Sequence, residues 1–439
     1  MTGLLTTCGR EFEDWSAPYR LFSCDRFPAD PVFSVIRHAV LSELPAQAPF
    51  SVALDDTLLR KTGTRIPGVA WRRDPLGPKF QTNFIRAQRF LQFSASIPLS
   101  DHAYRMVPIA LHHAPTPVKP SPKASSEEQQ KYRKQARLAA LPRVAAEKIT
   151  ALRQSLDADP SGAQRPLHLF ADGGYTNQNV LKHLPPRTTL VGRIRQDAKL
   201  YFFPDPPQAS KRRGRPLHYG LPAPTPEQLR TDESIPWTSL QVFISGIPHP
   251  MRMKRLSNLL WRAAGLKLTL QLVVIAPLAY RLRKGSKLLY RKPAFLICTD
   301  PELDLQALVG GFIQRWDIEV NFREEKTLLG VGQAQVRNAD SVNDLPALQV
   351  ASYAMLLLAS LRSFRSGSHS DLLPPPKWAA RANSHRFSTP RAINQLRAEV
   401  WGQVLHLDNF SGFVATHTPI TKPQKLLPDL KSAVLYAMN

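Results

Sequence analysis

Residues 167–175 read Leu-His-Leu-Phe-Ala-Asp-Gly-Gly-Tyr, a short apolar run that ends at Asp172 and two glycines. A run of this length, bounded by a turn signal, is typical of a buried β-strand. A second such run, residues 51–54, ends at Asp55-Asp56-Thr57. Carboxylates that follow neighbouring strands of an α/β sheet meet at one edge of the sheet, where ligands usually bind. The two runs therefore predict an α/β fold with these aspartates close together.

The segments around the two runs predict further strands and helices. Residues 84–98 and 104–112 are predicted strands, and residues 125–156 form a charged helical stretch that Pro142 should kink or break. After Asp172, Thr176 is predicted to cap a short helix, and residues 188–195 form another strand. The order of three strands, helix, strand, helix and strand is that of a ribonuclease-H-like mixed α/β sheet.

The predicted secondary structure of the rest of the chain changes twice, first to strands and then to helices. Residues 201–302 contain separate strand-like runs with basic connections such as 251–255 between them, which predicts a β-rich insertion. Helices are predicted before the core, at 32–44, and after the insertion, at 303–329 and 345–361. The predicted division is a small helical N-terminal segment at 1–48, the first part of the core at 49–200, the insertion at 201–302, the helical second part of the core at 303–365 and a C-terminal tail region at 366–439.

The charge of the chain indicates its partner. Its 439 residues include 58 Lys and Arg against 34 Asp and Glu, a formal net charge of +24. A surplus of this size is typical of proteins that bind a polyanion. Because the basic residues are spread along the whole chain, nucleic acid is favoured over an anionic membrane surface. Positive charge that serves only solubility is the other alternative.

The sequence also indicates where the protein acts. Its three scattered cysteines are too few for a disulfide framework or a zinc site. Charged residues interrupt any signal-peptide pattern at the N-terminus. The longest apolar runs are shorter than the ~20 residues of a membrane helix. We therefore expect a soluble, intracellular protein without a membrane partner.

Residues 312–326 read Phe-Ile-Gln-Arg-Trp-Asp-Ile-Glu-Val-Asn-Phe-Arg-Glu-Glu-Lys and supply a third acidic motif. On one continuous helix, Arg315, Glu319 and Lys326 would lie on a single face, since their offsets from Phe312 are 3, 7 and 14. A carboxylate between two cations suits a site that holds a divalent metal and DNA phosphates together. An ordinary solvated helix with an Arg315–Glu319 ion pair would show the same pattern.

The spacing of residues 312–326 resembles the Y-x2-R-x3-E-x6-K signature of a large group of insertion-sequence transposases with a DDE ribonuclease-H-like core. Phe312 stands where that signature has Tyr. The stretches around Asp55 and Asp172 are similar to the two aspartate strands of that group, and the resemblance covers residues 51–330. It implies a ribonuclease-H-like core interrupted by a β-rich insertion between Asp172 and Glu319.

The resemblance also implies a mechanism. Asp55, Asp172 and Glu319 would be the catalytic residues and would hold two Mg²⁺ ions, for which Mn²⁺ can substitute. One ion would activate the attacking water or 3′-hydroxyl, and the other would stabilise the leaving oxygen. The 3′ end of the element would be cut and would then attack target DNA, in cut-and-paste transposition. Arg315 and Lys326 would bind phosphates near the element end, where Phe312 lacks the hydroxyl of the usual Tyr.

The partner implied by the resemblance is double-stranded DNA, both the element ends and the target, bound by a homodimer in a synaptic complex. A further DNA contact is predicted in the basic stretch Lys211-Arg212-Arg213-Gly214-Arg215-Pro216, which resembles the core of minor-groove AT-hooks. A solvated basic loop is the alternative for this stretch. Trp237, Trp261 and Trp316 are expected to pack in the core rather than to stack on bases.

Three alternatives stay open. Asp56 competes with Asp55 as the first ligand, because adjacent strand residues point to opposite faces and only one can face the metals. The family pattern favours Asp55. The chain could instead be a non-catalytic or inactive DNA-binding protein derived from a transposase. It could also be a ribonuclease-H-like nuclease that cleaves DNA without strand transfer.

Overall fold

A computed structural model of the chain describes residues 5–6, 8–24, 26, 28–78, 80–100, 102–204, 217–244, 246–365, 388–406 and 429–436. Its central feature is a mixed sheet of ten strands, against which the helices pack. The predicted fold class, a mixed α/β sheet of the ribonuclease-H-like type, is confirmed.

The N-terminal half contains the core of this sheet. Its elements are α1 (Ser16–Ser23), α2 (Ala29–Ser42), β1 (Phe50–Arg60), β2 (Ala70–Arg73), β3 (Phe84–Ser100), β4 (Ala103–His113), α3 (Ser126–Leu138), α4 (Leu141–Ala158), β5 (Leu167–Ala171), α5 (Gln178–Leu181) and β6 (Thr188–Arg193). Strand β3 pairs antiparallel with both β1 and β4. Strand β5 lies between β1 and β6 and is parallel to both. The strand order β4-β3-β1-β5-β6 follows, with the short β2 beside the start of β3.

Several local predictions for this half are confirmed. The predicted strand at 167–171 has the observed bounds of β5. Pro142 does break the helical stretch, since α3 ends at Leu138 and Pro142 lies in the first turn of α4. There it costs no hydrogen bond, because the first amides of a helix have no partner within it.

Two local predictions were wrong. Strand β1 does not end at Leu54 but continues to Arg60, because its second half pairs with β3 alone. Thr176 does not cap α5: the Asn177 side chain accepts from the backbone amide of Asn179 at 2.9 Å. The Thr176 hydroxyl instead donates to the carbonyl oxygen of Asp172 at 3.3 Å.

The C-terminal half begins with the strands of the insertion. Its elements are α6 (Pro226–Thr231), β7 (Thr238–Ile244), β8 (Ile247–Trp261), β9 (Gly265–Ile275), β10 (Ala279–Tyr280), β11 (Leu289–Tyr290), β12 (Ala294–Cys298), α7 (Leu305–Gln314), α8 (Asp317–Leu328), α9 (Ala339–Arg365), α10 (Thr389–Trp401) and α11 (Leu430–Tyr436). Strand β12 pairs antiparallel with β6, and β9, β8 and β7 follow it in order. The insertion therefore extends the core sheet, while β10 and β11 form a separate hairpin.

The prediction of a basic connection at 251–255 was wrong, because these residues lie within β8. Met251 and Met253 are buried and alternate with the exposed Arg252, as expected for a strand with one face in the core. Lys254 is buried as well, and its ammonium group donates to the carbonyl oxygens of Arg230 and Asp232.

One hydrophobic cluster joins the segments that the sequence separates. It includes Phe33 from α2, Val52 from β1, Leu270 from β9 and Leu357 from α9. The proposed segment boundaries remain predictions.

Helix α9 is long and apolar enough to cross a membrane by length and composition, but 56% of its most apolar window is buried inside the protein. That burial is typical of a core helix in a soluble protein.

The prediction of one helix through residues 303–329 was wrong at its centre, because α7 ends at Gln314 and α8 begins at Asp317. At this break the backbone amides of Trp316, Ile318 and Glu319 each donate to the carbonyl three residues earlier, at 3.1, 3.0 and 3.1 Å. Such bonds tighten the chain relative to an α-helix. The spacing of 3, 7 and 14 therefore does not describe one helix face.

Two adjacent glycines of α7 should respond oppositely to alanine. A Cβ atom on Gly311 would lie 2.1 Å from Cζ of Phe170, whereas one on Gly310 would meet nothing within 4 Å. Gly311→Ala should therefore lower the free energy of unfolding by ~1–3 kcal/mol through overpacking. Gly310→Ala should raise it by ~0.5–1 kcal/mol, because alanine restricts the unfolded chain and favours the helix. Urea unfolding followed by tryptophan fluorescence measures both, and equal stabilities would refute the close packing of α7 on β5.

Candidate active site

Asp55 and Asp172 lie on adjacent strands at matching positions. The parallel pairing of β1 with β5 ends at Leu54 opposite Ala171, and each aspartate is the next residue of its chain. Asp55 stays in the plane of the sheet because β3 continues the pairing on its other side, with Gln92 opposite. After Asp172 the chain leaves the sheet through Gly173 and Gly174. The register therefore sets both residues at one edge.

Glu319 reaches the same edge from helix α8. Ile318 and Phe322, one turn apart, form a small buried cluster with Ala53 of β1 and Met106 of β4. This contact packs α8 against the strands and leaves Glu319 exposed. Asp55, Asp172 and Glu319 all line a cleft of about 1620 Å³. The structure thus brings the three carboxylates of the sequence motifs to one cleft.

The walls of this cleft are basic. Among the residues that the structure describes, eight cationic side chains line it: Arg60, Lys61, Arg72, Arg73, Arg86, Arg89, Arg323 and Lys326. Five carboxylates accompany them: Asp55, Asp56, Asp74, Asp172 and Glu319. A cleft with excess positive charge attracts a polyanion and holds its phosphates close to the carboxylates.

Asp55 is the most buried of the three carboxylates, with 16% of its side chain exposed. Burial raises the pKa of Asp55 to about 7, although the nearby Arg315 opposes this shift, and the carboxylates of Glu319 and Asp56 add to it. The Arg315 guanidinium donates through Nη1 to Oδ2 of Asp55 at 2.8 Å. Asp55 is thus a carboxylate in surroundings that favour a cation beside it.

Asp56 also lines the cleft, but it is engaged differently. Its Oδ1 accepts a hydrogen bond from the Tyr175 hydroxyl at 2.8 Å. This bond ties the turn after β5 back to β1. Burial, with Asp56 as the next cause, raises the pKa of Tyr175, so its hydroxyl stays a donor to the Asp56 carboxylate.

Arg315 and Phe312 line a second cleft of about 1340 Å³. The Arg315 guanidinium carbon lies 5.6 Å from the centre of the Phe312 ring, while its Nη1 reaches Asp55. Lys326 lies in the first cleft, where burial lowers the pKa of its ammonium group. The break between α7 and α8 separates Phe312 from the helix of Glu319 and Lys326.

The remaining sequence predictions have different outcomes. Trp237 and Trp261 pack against the main hydrophobic cluster, as expected. The prediction that Trp316 packs in the core was wrong, because its side chain lies at the helix break and is 64% exposed. The basic stretch with Lys211, Arg212, Arg213 and Arg215 lies outside the described residues.

Comparison with known proteins identifies the family. The sequence model of the DDE superfamily endonucleases matches residues 6–263. The chain belongs to the DDE superfamily endonucleases. The match includes Asp55 and Asp172 and ends before Glu319. A search of curated proteins found no match. The resemblance to DDE enzymes is confirmed, and membership implies a nuclease-type enzyme that acts on DNA.

Dependence on a divalent metal is general in this superfamily, and the donor set of this DDE endonuclease fits such an ion. The three carboxylates of the sequence motifs are among the five in the cleft, and hard divalent cations prefer oxygen ligands. The burial of Asp55 among other carboxylates favours a cation at this edge. Within the described ranges, no group of three or more His, Cys, Asp or Glu has the spacing of a preformed metal site. Asp55, Asp172 and Glu319 thus line one cleft without forming a preformed three-ligand site.

A polar network lies behind α8 of this DDE endonuclease and is not predicted by the sequence pattern. Glu324 is buried and pairs with the buried Arg105 of β4 at 2.5 Å. Its Oε2 also accepts from the hydroxyls of Tyr353 at 2.6 Å and Thr389 at 2.5 Å. Adjacent glutamates in a charged stretch usually mark a solvated helix face. No local signal reveals their burial, because the partners are remote in sequence.

Two further polar residues fix the same helix face. Asn321 donates to the Ser94 hydroxyl and the Met106 carbonyl oxygen, both at 3.2 Å. Glu325 accepts from Nε2 of Gln92 at 2.9 Å. Burial raises the pKa of Glu325 to about 8, which the bond from Gln92 only partly offsets. The carboxyl group of Glu325 is therefore protonated at neutral pH.

The protonation of Glu325 should give the stability of this DDE endonuclease a pH dependence. Between its ordinary pKa of 4.5 and the folded value of about 8, only the folded protein keeps the proton. The free energy of unfolding therefore falls as pH rises through this window. Glu325→Gln keeps an acceptor for Gln92 without ionising. Relative to the wild type, this variant should gain roughly 1 kcal/mol per pH unit between about pH 5 and pH 8.

Urea unfolding at several pH values measures this difference. Glu127→Gln, at an exposed position of α3, controls for the loss of one negative charge. Parallel pH profiles for the wild type and Glu325→Gln would show that Glu325 is ionised in the folded protein.

Proposed function

We propose that this DDE endonuclease is a transposase that cuts DNA at the ends of a mobile element and joins the 3′ ends to target DNA. The observation that carries the proposal is the single cleft lined by Asp55, Asp172 and Glu319 within a basic wall. Its substrate would be double-stranded DNA of the element ends and the target. The protein would act as a homodimer in a synaptic complex in the bacterial cytoplasm, at the nucleoid.

Five side chains at or next to the cleft have roles in this proposal. Asp55, Asp172 and Glu319 would hold two Mg²⁺ or Mn²⁺ ions, and the chemistry that such ions would supply is activation of the attacking oxygen and stabilisation of the leaving oxygen. Lys326 follows Glu319 by two turns of α8 and would hold a phosphate oxygen. Arg315 pairs with Asp55 and would exchange this carboxylate for a DNA phosphate.

Phe312 and the basic stretch bear on DNA affinity. Phe312 has no hydroxyl to donate to a phosphate, so contact near the element end would rest on Arg315 and Lys326. Lys211, Arg212, Arg213 and Arg215 would add sequence-independent contacts with the DNA backbone.

A nuclease that cleaves without strand transfer is the second candidate. It is favoured by the family match, which supports cleavage of DNA and does not distinguish the fate of the cut ends. It would use the same three carboxylates. An inactive, transposase-derived DNA-binding protein would differ from both enzymes because it would bind DNA without cutting it.

An excision assay tests the proposed activity. The purified protein is incubated with Mg²⁺ and a plasmid that carries its gene with the native flanks. The wild type should release a discrete fragment, and Asp172→Ala should reduce the rate more than about a thousandfold. Asp197→Ala, at an exposed aspartate outside the cleft, should retain the activity.

Other outcomes of this assay point elsewhere. Cutting without joining to a target plasmid would favour the nuclease. Binding without cutting by the wild type would favour the inactive protein. Undiminished cutting by Asp172→Ala would refute the assignment of the site.

The choice between Asp55 and Asp56 as first ligand is tested with matched asparagine variants. Asp55→Asn should abolish cleavage, because a neutral amide cannot replace a carboxylate that balances a divalent ion. Asp56→Asn keeps an acceptor for the Tyr175 hydroxyl and should cost no more than about tenfold. Tyr175→Phe removes this one bond and should likewise cost no more than about tenfold. The reverse ranking of the two asparagine variants would assign the role to Asp56.

A further inference from the structure

The hairpin formed by β2 and the start of β3 exposes several large apolar side chains. Trp71 is 68% exposed, Leu76 89%, Phe80 92% and Phe84 58%. All four lie within residues 71–84, on the two strands and the turn between them. Exposed apolar side chains concentrated in one segment mark an interaction surface.

The base of this hairpin is well fixed. The buried Asp74 pairs with Arg60 of β1 at 2.6 Å, and its backbone amide donates to the Asn83 carbonyl oxygen at 2.9 Å. The backbone amide of Lys61 donates to the Arg86 carbonyl oxygen at 2.9 Å. The hairpin is thus anchored to the strand that carries Asp55, and its turn extends from that anchor.

The hairpin belongs to the wall of the carboxylate cleft. Trp71, Leu76 and Phe84 line that cleft together with Asp55, Asp172 and Glu319. Arg72, Arg73 and Arg86 line it too, and the Arg86 guanidinium carbon lies 5.9 Å from the centre of the Trp71 ring. Apolar and cationic side chains thus share one wall of the cleft that contains the three carboxylates.

This combination selects one class of partner. Two copies of the hairpin would bring several arginines together, and like charges at an interface are costly. Double-helical DNA offers phosphates to the arginines and stacked bases to the apolar tip. Proteins that kink DNA insert apolar side chains between base pairs while cationic residues hold the backbone.

We propose that this hairpin is a wedge, whose tip residues Leu76 and Phe80 enter a base step of duplex DNA and kink it beside the phosphodiester in the carboxylate cleft. The inference rests on the proposed action on duplex DNA. The kink would turn the scissile phosphate of a straight duplex toward Asp55, Asp172 and Glu319. Unstacking the step would be offset by the phosphate contacts of Arg73 and Arg86.

A binding experiment without metal tests the wedge. Fluorescence anisotropy in EDTA compares a mixed-sequence duplex of about 30 base pairs with the same duplex carrying a central two-base mismatch. The mismatch is already partly unstacked, so the wild type should bind it about tenfold more tightly. The double variant Leu76→Ser/Phe80→Ser should lose this preference and keep its affinity for the paired duplex within about twofold.

Matched variants separate the wedge from general effects. Val118→Ser/Leu221→Ser removes two exposed apolar side chains outside the cleft and should keep the preference. Arg73→Gln should weaken binding to both duplexes alike and reduce the salt dependence of binding by about one phosphate contact. Near-ultraviolet circular dichroism verifies that each variant is folded.

Three results would overturn the wedge. The wild type could bind both duplexes equally, or Leu76→Ser/Phe80→Ser could keep the preference. This double variant could also change the sedimentation of the DNA-free protein, which would make the tip a self-association surface.

Because the assay needs no cleavage, a mismatch preference without excision would uphold the wedge and overturn transposition. Excision without a mismatch preference would do the opposite.

Discussion

The parallel pairing of β1 with β5 is the constraint on which the site depends. It ends at Leu54 opposite Ala171, so Asp55 and Asp172 leave the paired region side by side. Asp55 remains held between strands, whereas Asp172 begins a turn that returns to β1 through the bond from Tyr175 to Asp56. A shift of the register by one residue would turn one aspartate to the opposite face of the sheet.

The third carboxylate depends on a different kind of contact. Helix α8 packs on the sheet through a face in which Asn321, Glu324 and Glu325 accompany Ile318 and Phe322. Burying charged groups costs desolvation energy, and the pair of Glu324 with Arg105 offsets it only with the help of the two hydroxyls. These hydrogen bonds form in one orientation of the helix, and that orientation presents Glu319 to the cleft. Thr389 brings helix α10 into the same network.

The two clefts meet at the break between α7 and α8. Arg315 lines the second cleft and reaches Asp55 in the first, and Arg323 lines both. A continuous helix would carry Arg315 on the regular face that the spacing suggests. The break instead places its guanidinium against the β1 carboxylate. Part of the chain's net charge of +24 lies in the arginine and lysine side chains that line the two clefts. These cations can bind phosphates on either side of α8.

The sequence by itself determined the elements whose signals are local. The apolar runs predicted β5 and the start of β1, and Pro142 predicted the separation of α3 from α4. The aspartates that follow the two runs predicted that both lie at one edge of the sheet. The third acidic motif gave Glu319, although not the helix geometry around it. These features depend on residues that are close in sequence, so hydrophobic periodicity and turn-forming residues are enough to predict them.

Only the tertiary structure decided which polar residues are buried and where helices break. Glu324 lies in a charged stretch, and its burial depends on Arg105, 219 residues away, and on Tyr353 and Thr389. The sequence of residues 251–255 resembles a loop, and only pairing with β7 and β9 makes it a strand. The break at Arg315 accompanies a contact with Asp55, 260 residues away. Burial and pairing are properties of two segments at once, and a local pattern contains only one of them.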